Sequence, residues 1–140
     1  PSEFSLLIVG SEDTRNFDFK IPNNSAIFRV NDFVEDSKVP EFFSLCDAVC
    51  LPYRKSYTHG TSGVIVQSVL AEKPLIVPNI VPFNEIIEKY RFGVTFEAEN
   101  IASLKNAILK KDWLNIETEN FVKYKNTIST WGQIADDLLK

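Results

Sequence analysis

The fold of this chain is decided by residues 48–78, which read AVCLPYRKSYTHGTSGVIVQSVLAEKPLIVP. Residues 48–51 and 75–77 are short apolar runs of the kind that form strands buried on both faces. The polar residues 53–59 predict a loop, and the apolar segment 64–70 predicts a helix. Strand, turn, helix and strand in this order predict a βαβ unit with parallel strands.

The turn that opens this helix consists of Gly60, Thr61, Ser62 and Gly63. Small residues at a helix start leave backbone N–H groups free to bind an anion. The same residues also fit an ordinary N-cap with a tight turn, and on pattern alone that interpretation is the stronger one. This turn is the best candidate for a binding site in the sequence.

The length and charge of the chain indicate a single globular domain and argue against several classes of protein. The chain has 140 residues, enough for one domain with its own core. A net charge of −4 argues against nucleic acid as a partner. No apolar run approaches the length of a membrane span and no signal peptide opens the chain, so we expect a cytoplasmic protein with no transmembrane segment in this chain.

The two cysteines are Cys46 and Cys50, and both lie among apolar residues. We expect them to be buried free thiols of a cytosolic protein. A metal site is not predicted, because His59 is the only histidine and no second cysteine pair exists.

Further apolar runs alternate with helical patterns or long connections along the rest of the chain. Together with the two strands above, they predict an α/β fold with parallel strands, formed as one domain over residues 1–140. Amphipathic helical patterns continue from about residue 112 to residue 140. The five strands are predicted near Leu6, Phe28, Val49, Ile76 and Thr95.

Several local features follow from the same patterns. Asp36 or Ser37 is expected to cap the first helix, Gly93 to end the helix that includes residues 85–90, and Asn100 to cap the helix after it. The core contacts of the helix after the small-residue turn are predicted to be Val66, Val69 and Leu70.

Ligands of parallel α/β sheets bind beyond the carboxyl ends of the strands. Gly10 ends the first predicted strand, and Phe33 and Val34 follow the second. Residues 53–62 and 79–83 follow the two strands of the βαβ unit. These segments are therefore the candidate site residues of the chain.

Four segments resemble the C-terminal, donor-binding domain of retaining GT-B glycosyltransferases of family 4. The order and spacing of these segments carry the resemblance, which extends through about residue 109, and a tail with Trp131 is similar to the final helix of these enzymes. The segments are FSLLIVG (4–10), PEFFSLCDAVCLPY (40–53), GTSGVIVQSVLAEKPLIVPNIVPFNEII (60–87) and RFGVTFEAENIASLKNAI (91–108).

The resemblance implies a Rossmann-like parallel sheet with flanking helices that binds a nucleotide-sugar, with UDP or GDP as the nucleotide and no metal. The backbone N–H groups of residues 61–63 would bind the diphosphate, and Arg54 would add a positive charge. The base would stack near Phe33 and Val34, although Phe33 also fits a core residue at a strand end.

The sequence departs from the family pattern at functional positions. His59 and Gln67 stand where the family has two glutamates with the same spacing, and the resemblance assigns His59 to the sugar and Gln67 to the ribose. Glu72 replaces a glycine, and residues 81–83 replace a glycine-containing loop. The alternatives without a ligand are that His59 is a loop histidine with no role and that Gln67 is a polar residue on the exposed face of its helix.

The family's diphosphate-binding arginine and lysine, on its first strand and helix, would precede residue 1, as would the acceptor domain. We therefore expect a fragment that is inactive alone, from an enzyme that transfers a hexose with retention to a saccharide or lipid-linked acceptor. The resemblance leaves open whether the full-length enzyme associates with a membrane surface. The alternative is a non-catalytic GT-B-like domain, and a response-regulator-like module is disfavoured because the strand ends lack its acidic cluster.

Overall fold

A computed structural model describes residues 4–11, 22–57, 62–128, 133, 137 and 138. The chain divides into two compact units, residues 1–42 and residues 43–140. The predicted residues His59, Gly60, Thr61 and Trp131 lie outside the described residues. The assignment of the whole chain to one domain stays a prediction.

The first unit contains two parallel strands, β1 (Leu6–Val9) and β2 (Ile27–Val30). Leu6 pairs with Ile27 and Val9 with Val30. A short 3-10 helix (Asp36–Lys38) follows and leads into α1 (Val39–Ser44), within which the boundary between the units falls.

The second unit contains a three-stranded sheet of β3 (Val49–Cys50), β4 (Leu75–Pro78) and β5 (Gly93–Phe96). Both strand pairs are parallel. Helix α2 (Gly63–Leu70) connects β3 to β4, and α3 (Phe83–Tyr90) connects β4 to β5. The predicted α/β class, the five strands and their parallel pairing are thus confirmed.

Three helical segments follow the sheet: α4 (Ile101–Lys110), a 3-10 helix (Asp112–Asn115) and α5 (Thr118–Lys125). Asn100 caps α4 as predicted, since its side chain accepts a hydrogen bond from the Ser103 N–H. Helix α5 contributes to the core, because its side chains Phe121 and Tyr124 are buried in the main apolar cluster.

An aromatic cluster attaches α5 to the end of α3. The ring of Phe92, which has no exposed surface, lies 6.0 Å from the ring of Phe121 and 5.2 Å from that of Tyr124. Tyr90 meets Tyr124 edge-on at 5.0 Å. Such pairs add to the stabilisation that comes from burial alone.

Three local predictions are wrong. The first 3-10 turn begins at Asp36 with Glu35 at the cap position, and neither Asp36 nor Ser37 caps it. Helix α3 ends at Arg91, which takes the left-handed conformation with φ of 57°, so Gly93 is free to begin β5. The third error is the core face of α2.

The core face of α2 is formed by Ile65, Ser68 and Val69. Val69 was predicted, but Leu70 is 54% exposed and Val66 is only half-buried. Ser68 is fully buried because its hydroxyl donates a 2.6 Å hydrogen bond to the carbonyl of Lys73, which offsets the cost of burying it.

Gly93 of β5 lies against both the backbone of β4 and a side chain of α3. A Cβ at this position would clash with the carbonyl oxygen of Leu75 and would lie 2.9 Å from Cδ1 of Ile87. Backbone atoms of the central strand have little room to move, so only glycine fits here.

We expect Gly93→Ala to lower the free energy of unfolding by about 2–3 kcal/mol, because the added methyl overpacks the sheet. Urea denaturation measures the change. Gly63→Ala is the matched control, since no neighbouring atom lies within 4 Å of its added Cβ. Equal destabilisation by both substitutions would contradict the close contact at Gly93.

Glu72 occupies the position after α2 where a left-handed residue ends the helix. Its φ is 55°. Its N–H bonds to the Val69 carbonyl at 3.1 Å, and the N–H of Lys73 bonds to the Ser68 carbonyl at 2.8 Å. These two bonds form a Schellman motif, in which glycine is the usual residue. The Glu72 carboxylate also accepts a 2.7 Å ion-paired hydrogen bond from Lys125 of α5.

We expect Glu72→Ala to destabilise the protein by about 1 kcal/mol, because alanine keeps the left-handed strain and loses a partly exposed ion pair. Glu72→Gly should stay within about 0.5 kcal/mol of the unsubstituted protein, because it loses the pair but relieves the strain. Urea midpoints give the comparison, and Lys125→Ala reports the ion pair alone. A Glu72→Gly protein no more stable than Glu72→Ala would rule out backbone strain at this turn.

Candidate functional site

The start of α2 and the loop that follows β3 form the centre of the candidate site. Leu51 extends the pairing of β3 with β4, because its N–H donates to the Ile76 carbonyl at 3.0 Å. Beyond Leu51 the chain leaves the sheet at the carboxyl ends of the strands, where ligands of parallel sheets bind. The described part of this loop ends at Tyr57.

Three aromatic rings hold this loop on the first turn of α3. The rings of Tyr53 and Tyr57 stack with centroids 4.3 Å apart, and the ring of Tyr53 stacks on Phe83 at 5.2 Å. Phe83 is buried and belongs to the main core cluster. The loop is therefore anchored by aromatic packing, although its residues read as polar in the sequence.

Ser62 connects the loop to α2. It stands at the cap position of the helix and its carbonyl accepts from the Ile65 N–H at 3.0 Å. Its hydroxyl lies 3.0 Å from the hydroxyl of Tyr53 instead of capping the helix. Ser62 is therefore at the N-cap position that the ordinary N-cap interpretation requires, but its side chain makes no cap hydrogen bond, and the first turn of α2 is fixed in place by Tyr53.

Gly63 begins α2 and is exposed. Among the described residues, no neighbouring heavy atom lies within 4 Å of the point where its Cβ would be. The first N–H groups of a helix have no partner within it, and the helix dipole adds a partial positive charge there. An anion can therefore approach the backbone at this point.

Gln67 lies one turn along α2 from Gly63, on the same exposed face. Two apolar side chains flank it, Val64 at 37% and Leu70 at 54% exposure. The structure thus brings together Ser62, Gly63 and Gln67. Arg54 is exposed on the loop after β3 and has interactions of its own.

The first unit holds the other three predicted site residues, all near the carboxyl ends of β1 and β2. Gly10 has a positive φ of 139°, which favours glycine, and its N–H donates to the Val30 carbonyl at 3.1 Å. Phe33 is 77% exposed, so the interpretation as a core residue is wrong. Its N–H donates to the Asp32 carboxylate at 2.7 Å, and Val34 is half-buried.

Burial keeps the two thiols protonated at neutral pH. It raises the pKa of Cys50 to about 11. It also raises the pKa of Cys46, where the positive charge of Lys73 opposes the effect. Both are free and half-buried, so neither has the lowered pKa that marks a nucleophilic cysteine.

No three His, Cys, Asp or Glu side chains of the described residues are grouped so that they could hold a metal ion. No helix within the described part has both the length and the apolar character needed to cross a bilayer.

Sequence reasoning missed the roles of Tyr53, Tyr57 and Phe83. The two tyrosines are four residues apart in a polar stretch, which has no periodic signal, and Phe83 is distant in the chain. Only the folded sheet, which brings the ends of β3 and β4 to one edge, shows that these rings meet.

Comparison with known proteins gave one family. A family profile described as "Glycosyl transferases group 1" matches residues 1–111. A comparison with curated proteins gave no significant match.

We expect Tyr53→Phe to lower the free energy of unfolding by about 1–2 kcal/mol, because it leaves the buried Ser62 hydroxyl without its partner. The substitution should also increase the rate of amide hydrogen exchange more at the start of α2 than in β4. Tyr57→Phe is the matched control, since it keeps its ring in the same stack. If the two substitutions have equal effects, the Tyr53–Ser62 hydrogen bond does not hold the start of α2.

Proposed function

Because the chain belongs to the group 1 glycosyl transferases, we propose that it is the C-terminal, donor-binding domain of a family 4 retaining GT-B enzyme. In this proposal the start of α2 binds the diphosphate of a nucleotide-sugar, with UDP or GDP as the nucleotide. The observation that carries the proposal is the open first turn of α2 at Gly63, held in place by the Tyr53–Ser62 hydrogen bond.

Diphosphate binding at this point follows from the charges that the backbone presents. The N–H groups of the first turn and the helix dipole attract an anion without any metal. Arg54, on the loop just before the helix, adds a full positive charge nearby in the sequence. The chain as a whole carries a net charge of −4. Binding therefore depends on this local arrangement and not on the overall charge.

Gln67 suits the ribose of the same ligand. Four residues of helix separate it from Gly63, a rise of about 6 Å, which is of the order of the distance between a diphosphate and the ribose hydroxyls of one nucleotide. Its amide both donates and accepts hydrogen bonds, as a diol requires.

The reaction that we propose breaks the bond between the sugar C1 and the leaving phosphate oxygen. An acceptor hydroxyl then forms the new bond to C1 on the same face, and its proton passes to the departing diphosphate oxygen. The N–H groups at the start of α2 stabilise the negative charge that develops on the diphosphate. His59 contacts the sugar, and the saccharide or lipid-linked acceptor binds to the acceptor domain of such an enzyme.

A non-catalytic GT-B-like domain is the second candidate. The neutral pair of His59 and Gln67, in place of two glutamates, favours it, because a neutral amide holds a ribose diol without charge assistance. The two candidates differ in turnover and not in nucleotide binding. Release of UDP or GDP from a nucleotide-sugar by the full-length protein, with acceptor present, distinguishes them.

We expect UDP or GDP to shift the backbone amide resonances of residues 62–67 in a ¹⁵N–¹H titration of the chain. Gln67→Ala should weaken binding about two- to tenfold, because it removes one or two neutral hydrogen bonds. Gln67→Glu should bind as well or better, since a carboxylate accepts more strongly from a ribose diol.

Asn106→Ala, which removes a neutral amide from α4, serves as the control and should leave the affinity unchanged. Shifts centred away from the start of α2 would refute the proposed site. A Gln67→Glu protein that no longer binds, together with a Gln67→Ala protein that binds normally, would show that Gln67 does not contact the ribose.

A further inference from the structure

The outer edge of β5 has no partner strand among the described residues. β5 is the last strand of the three-stranded sheet, and β4 is its neighbour on the inner edge. On that inner side the Phe96 carbonyl accepts from the Asn79 N–H at 2.7 Å. Because the backbone groups of successive residues alternate in direction along a strand, those of Gly93 and Thr95 face away from β4. Two N–H and two C=O groups are therefore left for a further strand.

Two crevices flank this edge, one on each face of the sheet. A Cβ at Gly93 would lie 2.9 Å from Cδ1 of Ile87, so Gly93 and Thr95 face α3. The crevice on this face has a volume of about 260 Å³, and Glu88 and Thr95 are among its lining residues. The crevice on the α4 face has the same volume, and Val94 and Thr95 contribute to its lining. An added strand directs successive side chains to opposite faces, and therefore into the two crevices in turn.

The charge of the crevice on the α3 face selects a cation. Its one ionisable lining residue is Glu88, which is exposed and whose carboxylate makes no ion pair or hydrogen bond with the rest of the described chain. Asn79 and Thr95 in the same lining are exposed as well and add oxygen acceptors. A lysine or arginine side chain brings several N–H donors and the opposite charge, so it matches this set of acceptors.

The crevice on the α4 face has a different lining. Val94 and Ala107 give it an aliphatic surface, while Lys110 and Asp112 contribute charges of opposite sign. Because these charges sum to zero, they select neither a cation nor an anion, and an aliphatic side chain fits here. A volume of about 260 Å³ lies between the 10–15 Å³ that one water molecule needs and the 300–1,000 Å³ of sites for drug-sized ligands. Each crevice therefore has room for one side chain of a peptide.

A second copy of this chain is a poor occupant of the edge. Two β5 strands related by a two-fold axis pair in antiparallel fashion, and the axis then runs perpendicular to the sheet. Both α3 helices lie on the same face in that arrangement, which brings the two Glu88 carboxylates towards each other. Like charges facing each other across paired strands are destabilising. We propose instead that the outer edge of β5 binds an extended peptide segment of a partner protein, with a basic side chain on the α3 face and aliphatic side chains on the α4 face.

The test is a ¹⁵N–¹H titration of the chain with the synthetic peptide STVRVTS, acetylated and amidated at its ends. Its arginine and threonines share one face of a strand and its valines share the other. We expect saturable shifts at residues 93–96 and at Glu88, with a Kd on the order of 0.1–1 mM, because a four-residue edge offers few backbone hydrogen bonds. The peptide STVEVTS, with glutamate in place of arginine, should bind about fivefold more weakly.

Variants of the crevice and of the edge make the assignment specific. Glu88→Gln should weaken binding of the arginine peptide about two- to fivefold, and Glu88→Arg should reverse the preference between the two peptides. Glu85→Gln, on the same helix but outside the lining, is the matched control and should leave both affinities unchanged. Thr95→Pro removes an outward N–H and should weaken both peptides about tenfold. Thermal unfolding shows whether each variant is folded, and the Glu88 variants decide the matter if Thr95→Pro does not fold.

Three results would overturn the inference. The first is the absence of saturation at residues 93–96 up to about 10 mM of the arginine peptide, well above the expected Kd. The second is equal affinity for the two peptides, or a preference for arginine that survives Glu88→Gln, since either would show that Glu88 does not select the occupant. The third is a set of shifts at residues 93–96 that depends on protein concentration without any peptide, which would assign the edge to a second copy.

Discussion

The burial of β4 on both faces and along both edges governs the structure of residues 43–140. Leu75 and Val77 have no exposed surface, and Ile76 retains only 4%. Each such side chain contributes about 1.5–3 kcal/mol when it leaves water. Such a strand needs a neighbouring strand on each edge and apolar side chains packed against it. The neighbours are β3 and β5, and buried side chains of α2, α3 and α5 belong to the same core cluster as Leu75 and Val77. Because both strand pairs are parallel, the loops after β3 and β4 leave at one edge, and Tyr53 reaches Phe83 there.

All five strands could be predicted because each consists mainly of apolar residues, with Arg29 in β2 and Thr95 in β5 as the polar exceptions. The core face of α2 could not, since the helix reads GVIVQSVL and is apolar almost all round, which leaves little periodicity to interpret. A buried serine such as Ser68 is also invisible to a hydrophobic pattern. The hydrogen bond to Lys73 that makes its burial possible forms only when the helix has ended.

Part of the candidate site could be predicted because it, too, has a local pattern of residue types. Ser62 and Gly63 are residue types that predict the start of a helix, and this is a local signal. The stacking of Tyr53 on Phe83 joins two different loops of the chain, and the hydrogen bond between the hydroxyls of Tyr53 and Ser62 spans nine residues, so no local pattern encodes either contact. Glu72 is a further case: the family resemblance pointed to a glycine position, and the structure shows the left-handed backbone that glycine would occupy more easily.

Helix α5 has a consequence for how this domain can be exchanged between proteins. The family match ends at residue 111, yet α5 inserts Phe121 and Tyr124 into the core, and Asn120 and Lys125 bond to the ends of α3 and α2. A chimera that joined residues 1–111 to another protein would leave the Phe92 ring facing water. The crossover point for exchanging this part of the chain between proteins therefore lies after α5. A recombinant protein cut at the end of the shared family segment would carry an open aromatic surface prone to aggregation.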